Sequence, residues 1–414
     1  MKHVLKYRNI SSSKFFIKED AGDNIVKWGL FLFSPFFSLV YSIRRINTLS
    51  SFLVFFLFAV LFGLALTVED VRDVSTIDAV AYRIAFETQR IENWRQFLES
   101  WRSYIEFLDP TQKDFYTVSL NYVVHRFSDN YHYMFMMAAI IFSFFQLNSL
   151  KFFVGGSKIR VDYLFLCLLL LFTWNQIFNI NGMRFWTCAW VFVFFCFEYF
   201  YNNRKRALLL LIFLPIIHTT GFLMIFLVLL SIYTSRFTGF WIKSFWVSIL
   251  ISGLSLVLLR SIGNLPGVFG LLTEAYSNQR YIDSLSEGQN ALSYLITFLK
   301  RALIILMVYF IYVNRNKIDT KQSQLLFFTV VLSTFSNFTM AIPSLGNRFV
   351  QLSYPLIAFL WYKNRKVLNK YNIIIYVLPI IWYFDIKLLV KHYIEVVNLS
   401  FFFSSPFEII SKSI

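Results

Sequence analysis

The stretch "NINGMRFWTCAWVFVFFCFEYFYNNRKR", residues 179–206, indicates the fold class of this protein. Its central part, residues 183–201, is an almost unbroken apolar run of the length that an α-helix needs to cross a bilayer. The run ends in a basic cluster at 202–206, which is typical of a cytoplasmic loop. At the other end stands Arg184, and a charged side chain in a membrane span is costly and therefore a functional candidate. The stretch predicts a transmembrane helix with a functional arginine at its outer end.

The composition of the whole chain is also that of a membrane protein. Of 414 residues, 57% are hydrophobic, 20% are aromatic and only 15% are charged, whereas soluble domains carry about 25% charged residues. The net charge of +16 would favour a nucleic-acid partner in a soluble chain. Here the lysines and arginines lie in short clusters between apolar runs, so the charge reports membrane topology. We expect membrane lipids as neighbours and no nucleic acid as a partner.

Apolar segments of membrane-spanning length recur along the chain, which predicts an all-α fold, a polytopic transmembrane bundle of about 10–12 spans. A polar N-terminal segment, residues 1–24, precedes a single membrane domain, residues 25–414, because no repeat or linker divides the chain. The apolar segments lie near residues 25–43, 50–68, 131–150, 161–179, 183–201, 207–232, 240–259, 293–313, 322–342, 347–362 and 371–390.

Two loops stand out by their length, residues 69–130 and residues 260–292, and long loops in compact proteins are often functional. The short loops carry the topology signal, because basic loops stay in the cytoplasm. Segments 69–130, 179–182 and 343–348 are then expected to face outward. The basic loops that we place in the cytoplasm are 151–160, 202–206, 314–321 and 363–370.

The number of spans between residues 206 and 314 conflicts with this topology. Both positions are expected inside, yet three apolar segments lie between them, so one segment is not a simple crossing. Segment 207–232 carries Pro215 and Gly221 near its centre, and these residues favour a broken helix at membrane depth. If both halves return to the cytoplasm, the second long loop faces outward with the first. The alternative is a single tilted helix with the missing crossing elsewhere.

The N-terminal topology is a second open point. An outward loop 69–130 places Arg44 and Arg45 inside and the basic first 24 residues outside. Segment 25–43, with Pro35 in its middle, could instead lie along the membrane interface.

Two arginines on the outward side have the same setting. Arg184 follows "NING" and Arg348 lies in "SLGNRFVQLSY", each a small-residue loop that leads into an apolar helix. The start of a helix favours anions, and a guanidinium beside it would bind phosphate oxygens. The alternative is an arginine whose side chain reaches the lipid headgroups.

Residues that could transfer a proton lie in two other segments. His218 sits at the expected helix break, where a neutral imidazole can act as a general base or bind a sugar hydroxyl. In "VEDVRDVSTIDAVAYRIAFE", Asp78 follows Arg72 by six positions and precedes Tyr82 by four, so Asp78 and Tyr82 would share a helix face. A core histidine and a solvated loop are the alternatives. Weaker candidates are a glycan contact from the second loop and cations in a later apolar segment: Arg280, Asp283, Lys300 and Arg301.

Several patterns that carry other chemistries are absent from the sequence. There is no glycine-rich phosphate loop, no metal-ligand spacing and no Gly-x-Ser-x-Gly motif, so an ATPase or a metallohydrolase is not expected. The cysteines, Cys167, Cys188 and Cys196, lie inside apolar runs and indicate neither disulfides nor metal ligands. We expect no metal and no cofactor.

The ordered set of short motifs resembles the EpsG-like branch of the Wzy bacterial polysaccharide polymerases. "RDVSTIDAVAY" keeps the family's Arg, Asp and Tyr spacing, although Thr76 replaces a glycine, and "KDFYTVSLNY" places Asp114 at an acidic position. "NINGMRFW" resembles the start of a middle span but has Phe185 where the family usually has Gln. "PIIHTTGFLMI" and "GNRFVQLSY" resemble the next helix and the late arginine segment.

The resemblance implies a membrane glycosyltransferase, metal-independent, that polymerises undecaprenyl-diphosphate-linked oligosaccharides for an O-antigen, capsule or exopolysaccharide. It would act on the outer side of the bacterial inner membrane and transfer the growing chain to the non-reducing end of a new unit. A flippase and a chain-length regulator of the same pathway would be partners. The implied site has Asp78 or His218 as the base, Arg184, Arg348 and Arg72 on the diphosphate, and Tyr82, Asp114 and Tyr354 on the glycan. Arg280 and Asp283 are added as glycan contacts from the second long loop, on the residues alone.

Other functions fit part of the pattern. An O-antigen ligase-type glycosyltransferase would use the same site. A lipid-linked oligosaccharide flippase also needs a cationic lumen, but it should show regular spans and similar halves without long outward loops. A small-molecule transporter is the third alternative.

Overall fold

The computed structural model describes residues 16–68, 78–91, 93–106, 115–155, 159, 161–174, 177–263, 291–384 and 399–413. Within these residues the regular structure is entirely helical, and the predicted all-α fold is confirmed. The α-helices are α1 Ala21–Phe33, α2 Pro35–Ser42, α3 Leu49–Leu64, α4 Asp78–Thr88, α5 Trp94–Ile105, α6 Tyr116–Val124, α7 His132–Val154, α8 Tyr163–Phe172, α9 Met183–Cys196, α10 Leu208–Ile217, α11 Gly221–Tyr233, α12 Thr238–Leu250, α13 Ser252–Gly263, α14 Ala291–Val313, α15 Ser323–Phe338, α16 Pro343–Lys363 and α17 Pro406–Ser413.

Long apolar helices cross the bundle. Among the described residues, four helices are long and apolar enough to span a membrane: His132–Val154, Asn179–Tyr201, Leu295–Val313 and Thr320–Ala341. Three more apolar helices are shorter: Leu49–Leu64, Tyr163–Phe172 and Gly221–Tyr233.

Helix α9 links the two ends of the bundle. Its start carries Arg184, and its far end continues into a π-helical turn, Phe197–Tyr201, where Arg204 pairs with Glu198 at 2.9 Å. The expected cytoplasmic loops meet at this far end, since Lys321 Nζ lies 4.3 Å from the Tyr201 ring centroid. Together, α9 and this turn run from Met183 to Tyr201, which places their ends about 30 Å apart. Arg184 is therefore separated from the basic loops by roughly the thickness of a bilayer core.

The predicted break in segment 207–232 is confirmed. Helix α10 ends at Ile217, His218 is extended, and α11 begins at Gly221. A β-carbon on Gly221 would lie 2.3 Å from the carbonyl carbon of Leu214. In an uninterrupted helix, two residues seven positions apart would lie about 10 Å from each other. The much closer approach of Gly221 to Leu214 shows that the chain turns sharply here. This close approach of two backbones requires glycine.

The first long loop covers the carbonyl groups that the break exposes. The Tyr104 hydroxyl in α5 donates a hydrogen bond of 2.5 Å to the carbonyl of Pro215. The Phe115 amide, just before α6, donates one of 3.1 Å to the carbonyl of Ile216. A break at membrane depth is stable only where such groups have partners. The loop thus fixes the position of His218, which follows these carbonyls.

Residues 21–42, near the N-terminus, form two short helices. Helices α1 and α2 meet at Ser34, whose Oγ donates to the carbonyl of Phe402 at 2.8 Å, and Pro35 opens α2. With 13 and 8 residues, these helices are about 20 and 12 Å long. Neither can cross a hydrocarbon core of about 30 Å alone. A position along the interface stays a prediction.

A buried lysine, Lys27, holds this N-terminal unit together. Its side chain is fully buried in α1 and forms ion pairs with Glu19 and, at 3.1 Å, with Asp23. It also donates to Thr48 Oγ1 at 2.9 Å and to Ser50 Oγ at 3.1 Å, at the start of α3. Every hydrogen of the ammonium group therefore has a partner, as a buried charge requires.

Asp23 is the second charged member of this cluster. Burial by itself would raise the pKa of Asp23, but hydrogen bonds from Lys27, Tyr41 and Arg44 lower it to about 2. The carboxylate is therefore ionised throughout the physiological range and remains a partner for Lys27.

Replacing Lys27 with methionine should destabilise the protein by about 3–5 kcal/mol, because it leaves buried carboxylates without their central cation. The measurement is the melting temperature of the purified protein in detergent. Exposed Lys18 provides the control, and Lys18→Met should leave the melting temperature unchanged. Equal melting temperatures for Lys27→Met and the wild type would contradict this assignment.

Candidate functional site

The start of α9 receives two side chains from α4. Arg184 Nε donates a hydrogen bond of 2.9 Å to Tyr82 Oη, and its guanidinium carbon lies 5.2 Å from the Tyr82 ring centroid. One turn earlier in α4, Asp78 Oδ2 lies 3.5 Å from the place that a β-carbon on Gly182 would occupy. The prediction that Asp78 and Tyr82 share a helix face is confirmed. The carboxylate of Asp78 and the guanidinium of Arg184 therefore both lie near the start of α9.

The second arginine approaches the same place from α16. The guanidinium carbon of Arg348 lies 4.9 Å from the Phe185 ring centroid. The ring of Phe185 also meets the ring of His218 edge to face, with their centroids 5.6 Å apart. Arg184 and Arg348 are both within electrostatic range of His218. Residues from three distant parts of the sequence thus converge around the ring of Phe185.

The hydrogen bonds of His218 define its tautomer. Its Nδ1 accepts from the backbone N–H of Thr220 at 3.1 Å and lies 2.8 Å from Thr220 Oγ1. A backbone N–H can only donate, so Nδ1 carries no proton. A neutral imidazole then carries its proton on Nε2 and offers that atom as a donor. In this arrangement His218 stabilises the start of α11 through one nitrogen and can donate through the other.

The electrostatics of the site favour an anion. Arg184 is the second residue of α9, so its positive charge adds to the positive end of the helix dipole. Arg348 brings a second guanidinium to the ring of Phe185, the residue that follows Arg184. Both arginines are only partly buried and Asp78 is exposed, so a ligand can reach them. The arrangement brings two cations for phosphate oxygens and a carboxylate to the same helix start.

A neighbouring cluster contains Tyr354, which the sequence predicted to contact glycan. Tyr354 is buried and meets Trp174 edge to face at 5.8 Å. Lys300 Nζ lies 5.0 Å from the Trp174 ring centroid, and Arg301 Nη2 donates to Asn347 Oδ1 at 2.8 Å. The sequence marked the two cations only weakly and gave no sign of Trp174 or Asn347. A signal was available, since two consecutive cations in an apolar segment rarely both face lipid.

Some predicted residues lie outside the part of the chain that the structure describes: Arg72, Asp114, Arg280 and Asp283. Their roles stay predictions. Among the described residues, no group of three or more His, Cys, Asp or Glu side chains could hold a metal ion.

The family model of the EpsG family matches residues 53–402, which is most of the chain. The chain belongs to the EpsG family. This is a family of Wzy-type polysaccharide polymerase-like proteins, so the resemblance inferred from the short motifs is confirmed. No curated protein and no solved structure matches the chain. As an EpsG family member, the protein is a multi-pass membrane protein of polysaccharide biosynthesis.

The extent of the EpsG match separates two parts of the molecule. All of the described site residues fall within it: Asp78, Tyr82, Arg184, Phe185, His218, Arg348 and Tyr354. Helices α1 and α2, with the buried Lys27, precede it. The candidate site of this EpsG protein therefore lies within the matched part.

Proposed function

We propose that this EpsG protein polymerises lipid-linked oligosaccharide units, with undecaprenyl diphosphate as the carrier, on the outer side of the bacterial inner membrane. The observation that supports this best is that Arg184, Arg348 and Asp78 all lie near the start of α9, with Arg348 on the ring of Phe185. A polymerase of this kind needs cations for a diphosphate leaving group and a base for an acceptor hydroxyl. The site offers both at one end of the bundle, where the topology predicts an outward face.

The two arginines would bind the leaving group. Guanidinium groups pair with phosphate oxygens through two parallel hydrogen bonds, and these bonds strengthen as negative charge develops. Arg184 is oriented by Tyr82, which accepts a hydrogen bond from its Nε. Arg348 rests on the face of Phe185. Such fixed cations lower the barrier because little reorganisation is needed during the reaction.

Asp78 fits the role of base better than His218 does. The Nδ1 of His218 accepts from Thr220, and its Nε2 then carries a proton. In the proposed step, Asp78 takes the proton of the acceptor hydroxyl while that oxygen bonds to the anomeric carbon of the growing chain. The bond from this carbon to the diphosphate oxygen breaks, and the electron pair leaves with the diphosphate. His218 would donate from Nε2 to a substrate oxygen.

Deleting the gene and separating the surface glycan on a gel tests the function. For a polymerase, the ladder of chain lengths should collapse to caps of a single repeat unit. Loss of all surface glycan with lipid-linked units retained in the cytoplasm would instead indicate a flippase. Long chains that accumulate on the lipid carrier would indicate a ligase. A flippase and a chain-length regulator of the pathway are the proposed partners.

The variant Asp78→Asn should lower the polymerisation rate by about 100-fold or more, because an amide cannot accept the proton. The rate is measured with purified protein and a lipid-linked repeat unit. Substrate binding should change little, since the neutral side chain has nearly the same shape. The loss should therefore appear in kcat more than in KM.

Two matched variants complete the test of Asp78. Glu87 lies on the same helix and pairs with Arg83 at 2.7 Å, so Glu87→Gln should leave the rate unchanged. His218→Asn keeps an acceptor close to the position of Nδ1 and removes the Nε2 donor, so a smaller loss of about 10-fold is expected. Full activity of Asp78→Asn, or a larger loss in His218→Asn, would contradict the assignment of Asp78 as the base and favour His218 in that role.

A further inference from the structure

Two consecutive cations of α14, Lys300 and Arg301, are directed into the bundle. They lie inside the candidate span Leu295–Val313. Lys300 stands over the ring of Trp174, and Arg301 donates to Asn347 of α16. A side chain that reaches for the headgroups would extend along the lipid surface rather than contact another helix. Both charges are thus kept within the protein at a cost that is usually accepted only for function.

This second cation pair, Lys300 and Arg301, adjoins the first. Asn347, the partner of Arg301, directly precedes Arg348 in α16. Tyr354, further along α16, contacts Trp174 and is within electrostatic range of Arg301. Helix α16 therefore contributes both Arg348, which contacts the ring of Phe185, and Asn347, which accepts a hydrogen bond from Arg301. The two pairs of cations lie at the same end of the bundle.

We propose that the second cation pair binds the diphosphate of a second lipid-linked substrate, the acceptor unit. The inference rests on the proposed function, because polymerisation brings two lipid-linked molecules to one enzyme. A glycosylated polyprenyl diphosphate carries two negative charges, and two cations balance it. The pair Arg184 and Arg348 lies near the start of α9, as does Asp78, the proposed base, so this pair is assigned to the donor. The pair Lys300 and Arg301 is left for the acceptor.

The depth of the two pairs supports this assignment. Both lipids are anchored in the same leaflet, so their diphosphates must lie at a similar level in the membrane. Arg348 belongs to the first pair and Asn347 binds Arg301 of the second, and these two residues are consecutive in α16, so the pairs meet α16 at one level. The acceptor glycan then bends back, so that its non-reducing end reaches the anomeric carbon beside Asp78.

Native mass spectrometry of the purified full-length protein, titrated with undecaprenyl diphosphate, tests the proposal. The wild type should bind two molecules. The double variants Lys300→Gln/Arg301→Gln and Arg184→Gln/Arg348→Gln should each bind one, with the lost site weakened about 10- to 100-fold. Uncharged undecaprenol should not compete for either site.

A control pair lies in and just after the last turn of α16. Lys363 and Arg365 also stand over aromatic rings, at 5.6 Å from Phe359 and 4.4 Å from Tyr362. The variant Lys363→Gln/Arg365→Gln should bind two molecules. If the Lys300→Gln/Arg301→Gln protein does not fold, Lys300→Gln alone, which keeps the bond from Arg301 to Asn347, should still weaken one site.

The outcomes separate this inference from the proposed function. A wild type that binds one molecule, or a Lys300→Gln/Arg301→Gln variant that binds two, overturns the acceptor site. If the deletion strain nevertheless shows only single-unit caps, the proposed polymerase function is supported without the acceptor site. A deletion strain with a normal ladder overturns the polymerase, whatever the stoichiometry, and with it the acceptor role.

Discussion

Replacing Arg184 with glutamine should reduce the glycan ladder to single-unit caps when the variant gene complements a deletion strain. Glutamine retains hydrogen-bonding ability but removes the charge that would stabilise the departing diphosphate. It also breaks the 2.9 Å hydrogen bond to Tyr82. With purified protein, we expect kcat/KM to fall about 100- to 1,000-fold, which is typical for the loss of one preorganised group at a developing charge. Arg348→Gln should act in the same direction.

The control for this prediction lies near the far end of the same helix. Arg204 is exposed and pairs with Glu198 about one bilayer thickness from the site, so Arg204→Gln should give a normal ladder. Protein levels in the membrane are compared by immunoblot, so that a failure to accumulate is not mistaken for lost activity. A normal ladder from Arg184→Gln would remove this residue from the mechanism.

Replacing Gly221 with alanine should destabilise the protein and inactivate it. The added β-carbon would lie 2.3 Å from the carbonyl carbon of Leu214 and 2.5 Å from the nitrogen of Pro215. These are backbone atoms that cannot rotate away, so α10 and α11 must separate, at a cost of about 3 kcal/mol. The separation would also displace His218, which lies between the two helices. The measurement is the melting temperature in detergent, together with the glycan ladder.

A second glycine provides a matched comparison. No heavy atom lies within 4 Å of the place where a β-carbon on Gly239 would stand, and this residue lies in the first turn of α12. Gly239→Ala should therefore leave the melting temperature unchanged or raise it slightly, since alanine favours helix. If Gly221→Ala melts at the same temperature as Gly239→Ala, the close approach of α10 and α11 is wrong.

The site was predictable to the extent that its residues stand in distinctive local settings. Arg184 opens α9 after a small-residue stretch, as predicted, and the spacing of Asp78 and Tyr82 matches one helical turn. The loop predicted before Arg348 was wrong, since α16 already begins at Pro343 and Arg348 is its sixth residue. The meeting of these site residues depends on the packing of α4, α9 and α16, which no local pattern contains. Phe185 shows this most clearly, since nothing in its local sequence indicates that its ring lies between Arg348 and His218.

The sequence by itself determined the helical class, the distribution of basic loops, the break near Gly221 and the family. These properties follow from hydropathy, charge and backbone preference, which act over a few neighbouring residues. The tertiary structure decided the tautomer of His218, the inward direction of Lys300 and Arg301, and the burial of Lys27. The two cations and Lys27 depend on partners far away in the chain, such as Asn347 and Thr48, because the energy of a buried polar group is set by its packed neighbours. The tautomer of His218 depends on the bend between α10 and α11, which places the N–H of Thr220 against its Nδ1.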